Sequence, residues 1–175
     1  MSAVAIVGSG FIGRGWAISF ARAGHEVRLW DQSPTATEGA RDYIAGVLGD
    51  LRENDLLRGQ TPAAVLSRIA VVADLGEAVA DAVHIQENTP EDRDVKRAVF
   101  KRIDALAGPD AVIASSTSAL LPSTFTDHLA GRGRCLVVHP INPPYLVPAT
   151  ELVPAPWTTP ETVERTRAFL VAAGH

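Results

Sequence analysis

One cysteine, no basic block and no apolar run near the roughly 18 residues that cross a bilayer set the first limits on this chain. Cys135 has no partner for an internal disulfide, and with Leu136 to Val138 behind it reads as the buried thiol of a strand. Without a long apolar stretch no membrane partner is expected. The first residues lead straight into a strand rather than into the basic and apolar regions of a secretory leader. Net charge is −4, with nothing to track a phosphate backbone, so nucleic acid is not an expected partner either. No metal site is expected. A reducing, cytoplasmic setting fits these absences.

What is present describes one soluble domain: 175 residues, 46% hydrophobic and 21% charged. Val4 to Val7 is a strand apolar on both faces, and Phe11 to Ala23 a helix closed by Gly24. Glu26 to Trp30 is a second strand. Pro34 offers a helix start, and Glu38 to Leu57 carries Tyr43, Ile44, Val47, Leu48, Leu51 and Leu56 near a helical period. Thr61-Pro62 opens a short helix to Ser67, Ile69 to Ala73 is a strand, and a helical turn holds Leu75 and Val79. Ala82 to Gln86 is the next strand, Thr89-Pro90-Glu91 starts a helix that runs to Leu106, and Ala111 to Ala114 is a strand. After loop and short helix from Leu120 to Leu129, Arg134 to Val138 forms a strand ending at His139. Pro140 to Pro148 has four prolines in nine residues and reads as an extended loop. Thr150 to Val153 returns as a strand, and Thr159-Pro160-Glu161 caps a last helix that Gly174 closes. This alternation implies an α/β fold of Rossmann type, a doubly wound, mostly parallel sheet with helices on both faces. A final helix in such a fold ordinarily leads into another strand, so the chain is expected to stop in mid-architecture.

The first 31 residues carry the most specific signal. Gly8-Ser9-Gly10-Phe11-Ile12-Gly13 follows a strand and opens a helix, the context that separates a dinucleotide turn from an ordinary glycine-rich loop. Gly8 allows the tight turn, Gly10 the approach of phosphates, and Gly13 close packing of helix on strand. The helix beginning at Phe11 and Ile12 aims free N–H groups and its positive end at the anion. Asp31, 18 residues past Gly13, stands where a carboxylate meets the adenosine ribose. It would repel a 2′-phosphate, and Gln32 and Ser33 supply no cation, so NAD rather than NADP is the expected cofactor.

A second group follows from the rule that ligands bind beyond the carboxyl ends of parallel strands. It gathers Glu87 with Asn88, Ser115 to Ser118, and His139. Glu151 lies twelve residues past His139, and a chain that doubles back about Tyr145 sets the two opposite one another. A carboxylate on one imidazole nitrogen fixes the tautomer and makes the other nitrogen a base. His25, His84 and His128 are assigned no role.

These residues resemble a known family. Val7-Gly8-Ser9-Gly10-Phe11-Ile12-Gly13-Arg14, His84-Ile85-Gln86-Glu87, Ser115-Ser116-Thr117-Ser118 and His139-Pro140-Ile141-Asn142-Pro143-Pro144-Tyr145 leading to Glu151-Leu152-Val153-Pro154 are similar to the NAD-binding domain of the 3-hydroxyacyl-CoA dehydrogenase superfamily. The branch they most resemble is that of lambda-crystallin and L-gulonate 3-dehydrogenase. The resemblance implies that residues 1–175 are one dinucleotide-binding domain of an oxidoreductase that moves hydride between NAD and the 3-hydroxyl or 3-keto carbon of its substrate. It implies His139 as catalytic base, Glu151 as its orienting partner, Ser118 holding the substrate hydroxyl near the nicotinamide, and Asn142 supporting the pocket. It further implies that Glu91 and Lys96 contact the cofactor from the helix after the fourth strand, in place of Glu87. Pro140-Ile141 stand where the acyl-CoA branch has two aromatics, which favours a small, L-gulonate-like hydroxy acid over an acyl thioester. The family's helical C-terminal domain, which closes the cleft and forms a homodimer, lies outside this chain. Two alternatives stand beside this reading: an inert NAD-binding or crystallin-like module, and a true hydroxyacyl-CoA enzyme with Arg41, Arg52 or Arg58 on a CoA phosphate.

Overall fold

The computed structural model describes residues 2–175. In chain order its elements are β1 (Ala3–Val7), α1 (Phe11–Arg22), β2 (Glu26–Trp30), α2 (Pro34–Glu53), α3 (Pro62–Leu66), β3 (Ile69–Val71), α4 (Leu75–Val79), β4 (Ala82–Glu87), α5 (Arg93–Leu106), β5 (Val112–Ser115), α6 (Ser123–Thr126), β6 (Cys135–Pro140), β7 (Thr150–Pro154) and α7 (Pro160–Ala173). One seven-stranded sheet has the order β3-β2-β1-β4-β5-β6-β7. All pairs are parallel except β6 with β7, which is antiparallel.

β1 lies inside the sheet, between β2 and β4, and both of its faces are apolar. Val4 and Ile6 enter a core with Trp16, Phe20, Ile44, Leu48 and Leu170, while Ala5 and Val7 enter another with Leu75, Phe100, Ile103 and Phe125. The alternation of side chains along a strand sends successive residues into opposite layers, so one run of apolar residues serves two helical layers. Among the described residues no helix is long and apolar enough to cross a membrane. Cys135 is buried, and burial pushes its thiol up to about 12.

Several boundaries differ from those read in the sequence. α2 begins at Pro34 and ends at Glu53, short of Leu57, with Asp55 at a positive φ of 57° just past its C-cap Asn54. α5 begins at Arg93, since the Asp92 carboxylate accepts from the N–H groups of Asp94 and Val95 at 2.9 Å and caps the helix there. Glu91 is therefore in the loop before the helix and not in its first turn. β6 extends through His139 to Pro140 because β7 pairs with it that far, so the histidine is a strand residue. β3 stops at Val71 rather than Ala73.

Candidate functional site

The carboxyl ends of β1, β2, β4, β5 and β6 share one edge of the sheet, and the expected residues collect there. Gly8 has φ of +95°, and a Cβ on it would lie 2.8 Å from the backbone of Asn88. A Cβ on Gly13 would come within 1.9 Å of the Gly8 carbonyl oxygen, so the helix can rest on the turn only as built. A Cβ on Gly10 would meet nothing within 4 Å. Gly10 is also the N-cap of α1 and offers no side-chain cap, which leaves the first N–H groups of the helix without a partner. Closed floor and open, donor-lined mouth fit a pyrophosphate.

A cleft of about 640 Å³ continues from this mouth between Gly8, Gly10, Asp31 and the α5 residues Val95, Val99 and Arg102. Asp31 does not stand free. Its Oδ2 accepts from Ser9 N at 2.7 Å and Ser9 Oγ at 2.9 Å, and its Oδ1 from Ser33 N at 3.0 Å. The carboxylate thus fastens the glycine turn to the end of β2 and keeps acceptor capacity on Oδ1. No sequence motif marks the α5 wall. Val95, Val99 and Arg102 fall at i, i+4 and i+7, a helical stripe, and Arg102 brings its guanidinium 5.6 Å from the ring of Trp30. A cation therefore does border the Asp31 cleft, although Gln32 and Ser33 provide none.

The next segment, Glu87 to Glu91, is wired to the Ser115–Ser118 loop. Glu87 and Lys96 are buried, at 0% and 1% side-chain exposure, with Lys96 Nζ 3.0 and 3.1 Å from the two Glu87 oxygens and 3.1 Å from Thr89 O. Ser115 Oγ donates to Glu87 Oε2 at 2.6 Å, and Thr89 N to Oε1 at 2.6 Å. Glu87 is thus a fastening between β4, β5 and α5, and the Lys96 ammonium spends its donors within the protein. Glu91 Oε1 accepts from Thr117 Oγ1 at 2.6 Å, Ala119 N at 2.9 Å and Ser118 N at 3.1 Å. Burial raises its pKa, but these donors and the charge of Lys96 together outweigh that, and the carboxyl lies below its ordinary value. A cavity of about 190 Å³ beside Glu91 is lined by Ile12, Asn88, Thr117 and Ser118. Beneath it, Ser116 Oγ donates to Asn88 Oδ1 at 2.7 Å and accepts from Trp16 Nε1 at 3.0 Å and Gln86 Nε2 at 2.8 Å.

His139 and Glu151 are direct cross-strand partners on β6 and β7. His139 Nδ1 is 2.9 Å from Glu151 Oε2, and both line a cavity of about 90 Å³ with Thr117, Ser118 and Leu121. Ser118 borders this cavity and the previous one, so it joins the imidazole to the Ile12 side of the dinucleotide turn. Asn142 is exposed in the turn after β6 and does not line the His139 cavity. Of the three arginines weighed for CoA, Arg52 donates to Gln60 O and Arg58 to Ala173 O, which leaves only Arg41 unengaged among the described residues. An open depression of about 520 Å³ beside the Asp104–Arg134 ion pair lies at the opposite end of β5 and β6, away from this chemistry.

Comparison with known proteins finds relatives over nearly the whole chain. The family described as 3-hydroxyacyl-CoA dehydrogenase, NAD binding domain, matches residues 3–175. Lambda-crystallin of Oryctolagus cuniculus is 44% identical over 172 residues, 98% of this chain and 54% of that protein. An L-carnitine dehydrogenase of Streptomyces griseus is 41% identical over 171 residues, 98% of this chain and 50% of that protein. The crystal structure of 3-hydroxybutyryl-CoA dehydrogenase from Escherichia coli K12 superposes with a TM-score of 0.93 at 28% identity, over 99% of this chain and 36% of that one. The chain spans about half the length of the curated relatives it matches.

Proposed function

Because the chain belongs to the 3-hydroxyacyl-CoA dehydrogenase NAD-binding domain family, we propose that it is the cofactor-binding part of a dehydrogenase that oxidises the 3-hydroxyl of a small hydroxy acid, with His139 as general base. The observation that carries this reading is the 2.9 Å contact between His139 Nδ1 and Glu151 Oε2. An ionised carboxylate only accepts, so the ring proton is held on Nδ1 and Nε2 keeps its lone pair. Nε2 takes the proton of the substrate hydroxyl, which Ser118 holds. NAD, held by the Gly8–Gly13 turn and Asp31, supplies the hydride acceptor. In the reverse direction the imidazolium returns its proton to the oxygen of a 3-keto compound. Glu91 contributes to the cofactor site by bracing the Ser118 loop, and Lys96 by bracing Glu87.

Pro140-Ile141 behind the histidine, and the engagement of Arg52 and Arg58 with backbone carbonyls, support a small hydroxy acid over an acyl thioester. The Asp31 carboxylate supports NAD over NADP. Since the chain spans about half of its curated relatives, we assign residues 1–175 to a dinucleotide-binding domain of a longer protein, in which a helical domain closes the cleft and pairs two copies.

The test is His139→Gln in the full-length protein, assayed with NAD and L-gulonate, 3-hydroxybutyrate or carnitine, and with acetoacetyl-CoA and NADH. Turnover should vanish while NADH affinity stays nearly unchanged. Parent-like activity in the variant discards the base assignment. Likeness to a lambda-crystallin favours one second reading, a structural protein that keeps the nucleotide fold, and NADH binding without oxidation of any of these substrates by the parent establishes it.

A further inference from the structure

Resting on the dehydrogenase reading, we propose that Arg14, held between Phe11 and a Tyr43 whose hydroxyl meets that of Tyr145, is an anion subsite that takes the carboxylate of the substrate. The Arg14 guanidinium carbon lies 4.6 Å from the Phe11 ring centroid and 4.4 Å from that of Tyr43. Such stacking fixes a guanidinium while leaving its N–H edge available. Among the described residues Arg14 makes no side-chain hydrogen bond and no ion pair, and its Nε is buried without a partner. A partly buried cation without a counter-charge is costly unless a ligand supplies one. The neighbouring arginines are already engaged: Arg22 donates to Leu56 O and Tyr145 O, and Arg58 to Ala173 O.

The hydroxyls of Tyr43 and Tyr145 are 3.4 Å apart. Burial and the neighbouring Tyr43 push Tyr145 up to about 12, so its hydroxyl keeps its proton and can donate. Position relates the pair to the chemistry. A Cβ on Gly15 would lie 2.7 Å from Pro144 Cδ, so the turn that leaves His139 folds onto α1 next to Arg14. The segment that begins at the base therefore ends on α1 at Gly15, and its Tyr145 reaches the hydroxyl of Tyr43, whose ring covers the guanidinium. Arg14 lines neither of the two cavities beside the glycine turn nor the small one at His139, so the anion it takes lies outside the pyrophosphate mouth and away from the reacting carbon, at the far end of the substrate. Bidentate recognition of a planar carboxylate is what an arginine in this setting does best.

The experiment compares, in the full-length protein, the hydroxy acid oxidised fastest with its uncharged primary amide. Arg14→Gln should lower kcat/KM for the acid about tenfold to a hundredfold, mainly through KM, and leave the amide within about twofold. Tyr145→Phe should give a smaller loss of the same kind, and Arg14→Lys should recover part of the loss caused by Gln. NADH affinity should not move, which also reports that the fold is intact. Equal losses for acid and amide overturn the proposal, and a matching loss of NADH affinity assigns Arg14 to the cofactor instead. If the parent oxidises no hydroxy acid, the dehydrogenase reading has failed separately, and calorimetric titration with malonate decides the subsite. Binding by the parent that Arg14→Gln abolishes supports it; equal binding, or none, overturns it.

Discussion

Ser9 places both of its donors, the backbone N–H at 2.7 Å and the hydroxyl at 2.9 Å, on the same oxygen of Asp31. The acid at the tip of β2 is therefore a clasp for the glycine turn before it is a ligand for anything. One carboxylate oxygen holds the turn in shape, and the other, bonded only to Ser33 N, retains room for a ribose hydroxyl.

Removing the acid should weaken the cofactor site in two ways at once. Asp31→Ala is expected to raise the dissociation constant of NADH by about tenfold to a hundredfold, the scale of a lost hydrogen bond to a charged group, and to narrow the preference over NADPH. Ser9→Ala keeps the charge and loosens only the clasp, so it should raise both constants by a similar factor and leave the preference intact. Fluorescence titration of the two nucleotides reads both effects. A parent that binds NADPH better than NADH removes the assignment of Asp31.

Glu151→Gln tests the orienting role without removing the base. The amide can present its N–H to Nδ1 and favour the wrong tautomer, leaving Nε2 protonated and unable to accept. Expected is a loss in kcat of about a hundredfold to ten-thousandfold with KM little changed, and a partial recovery in Glu151→Asp. A variant with parent-like kcat shows that the 2.9 Å contact has no part in turnover.

Glu87 and Lys96 make an opposite kind of pair, fully enclosed and far more consequential for folding than for chemistry. Lys96→Met strands a buried carboxylate and should cost about 3–5 kcal/mol of stability by urea unfolding. Replacing both partners, as Glu87→Leu with Lys96→Met, removes the stranded charge and should recover much of that loss. NADH binding should recover less, because Thr89 and Ser115 also lose the carboxylate that orders their loops. Additive losses in the double variant refute the pairing.

Much of this site was legible in the sequence because each feature obeys a local rule. The Gly8–Gly13 turn and Asp31 sit at fixed offsets from a strand, and a symmetric hairpin set Glu151 opposite His139. Misplaced residues are those decided by tertiary contacts. Glu87 ends a strand like any ligand-facing acid, and only the packing of α5 brings Lys96 onto it. Thr89-Pro90-Glu91 carries a good helix-start pattern, yet the Asp92 carboxylate wins the cap through two backbone N–H groups. Asn142 belongs to the motif, but its turn leaves it outside the small cavity that His139 lines. The stripe of Val95, Val99 and Arg102 was readable as a helical face, and what hid its role was that strand β2 had to be placed across from it.

His84, assigned no role from sequence, should be visible in stability against pH. It is buried on β4, with Nε2 2.9 Å from Gln86 Oε1, Nδ1 without a partner, and its ring stacked 4.7 Å from Phe169. Burial lowers its pKa from 6.5 to about 4, the Gln86 hydrogen bond opposing and the charge of His25 adding to the effect. The folded protein thus refuses a proton that the unfolded chain accepts. Stability from this group is complete above about pH 6.5 and falls as pH drops toward about 4, by about 3 kcal/mol at most. His25 and His175 are also lowered by burial and act in the same direction, so the slope of unfolding free energy between these limits is shared. His84→Gln should remove the largest part of that slope, measured by urea unfolding at intervals of pH. An unchanged slope in the variant means that the imidazole is already charged in the folded state, or that Phe169 and Gln86 do not enclose it.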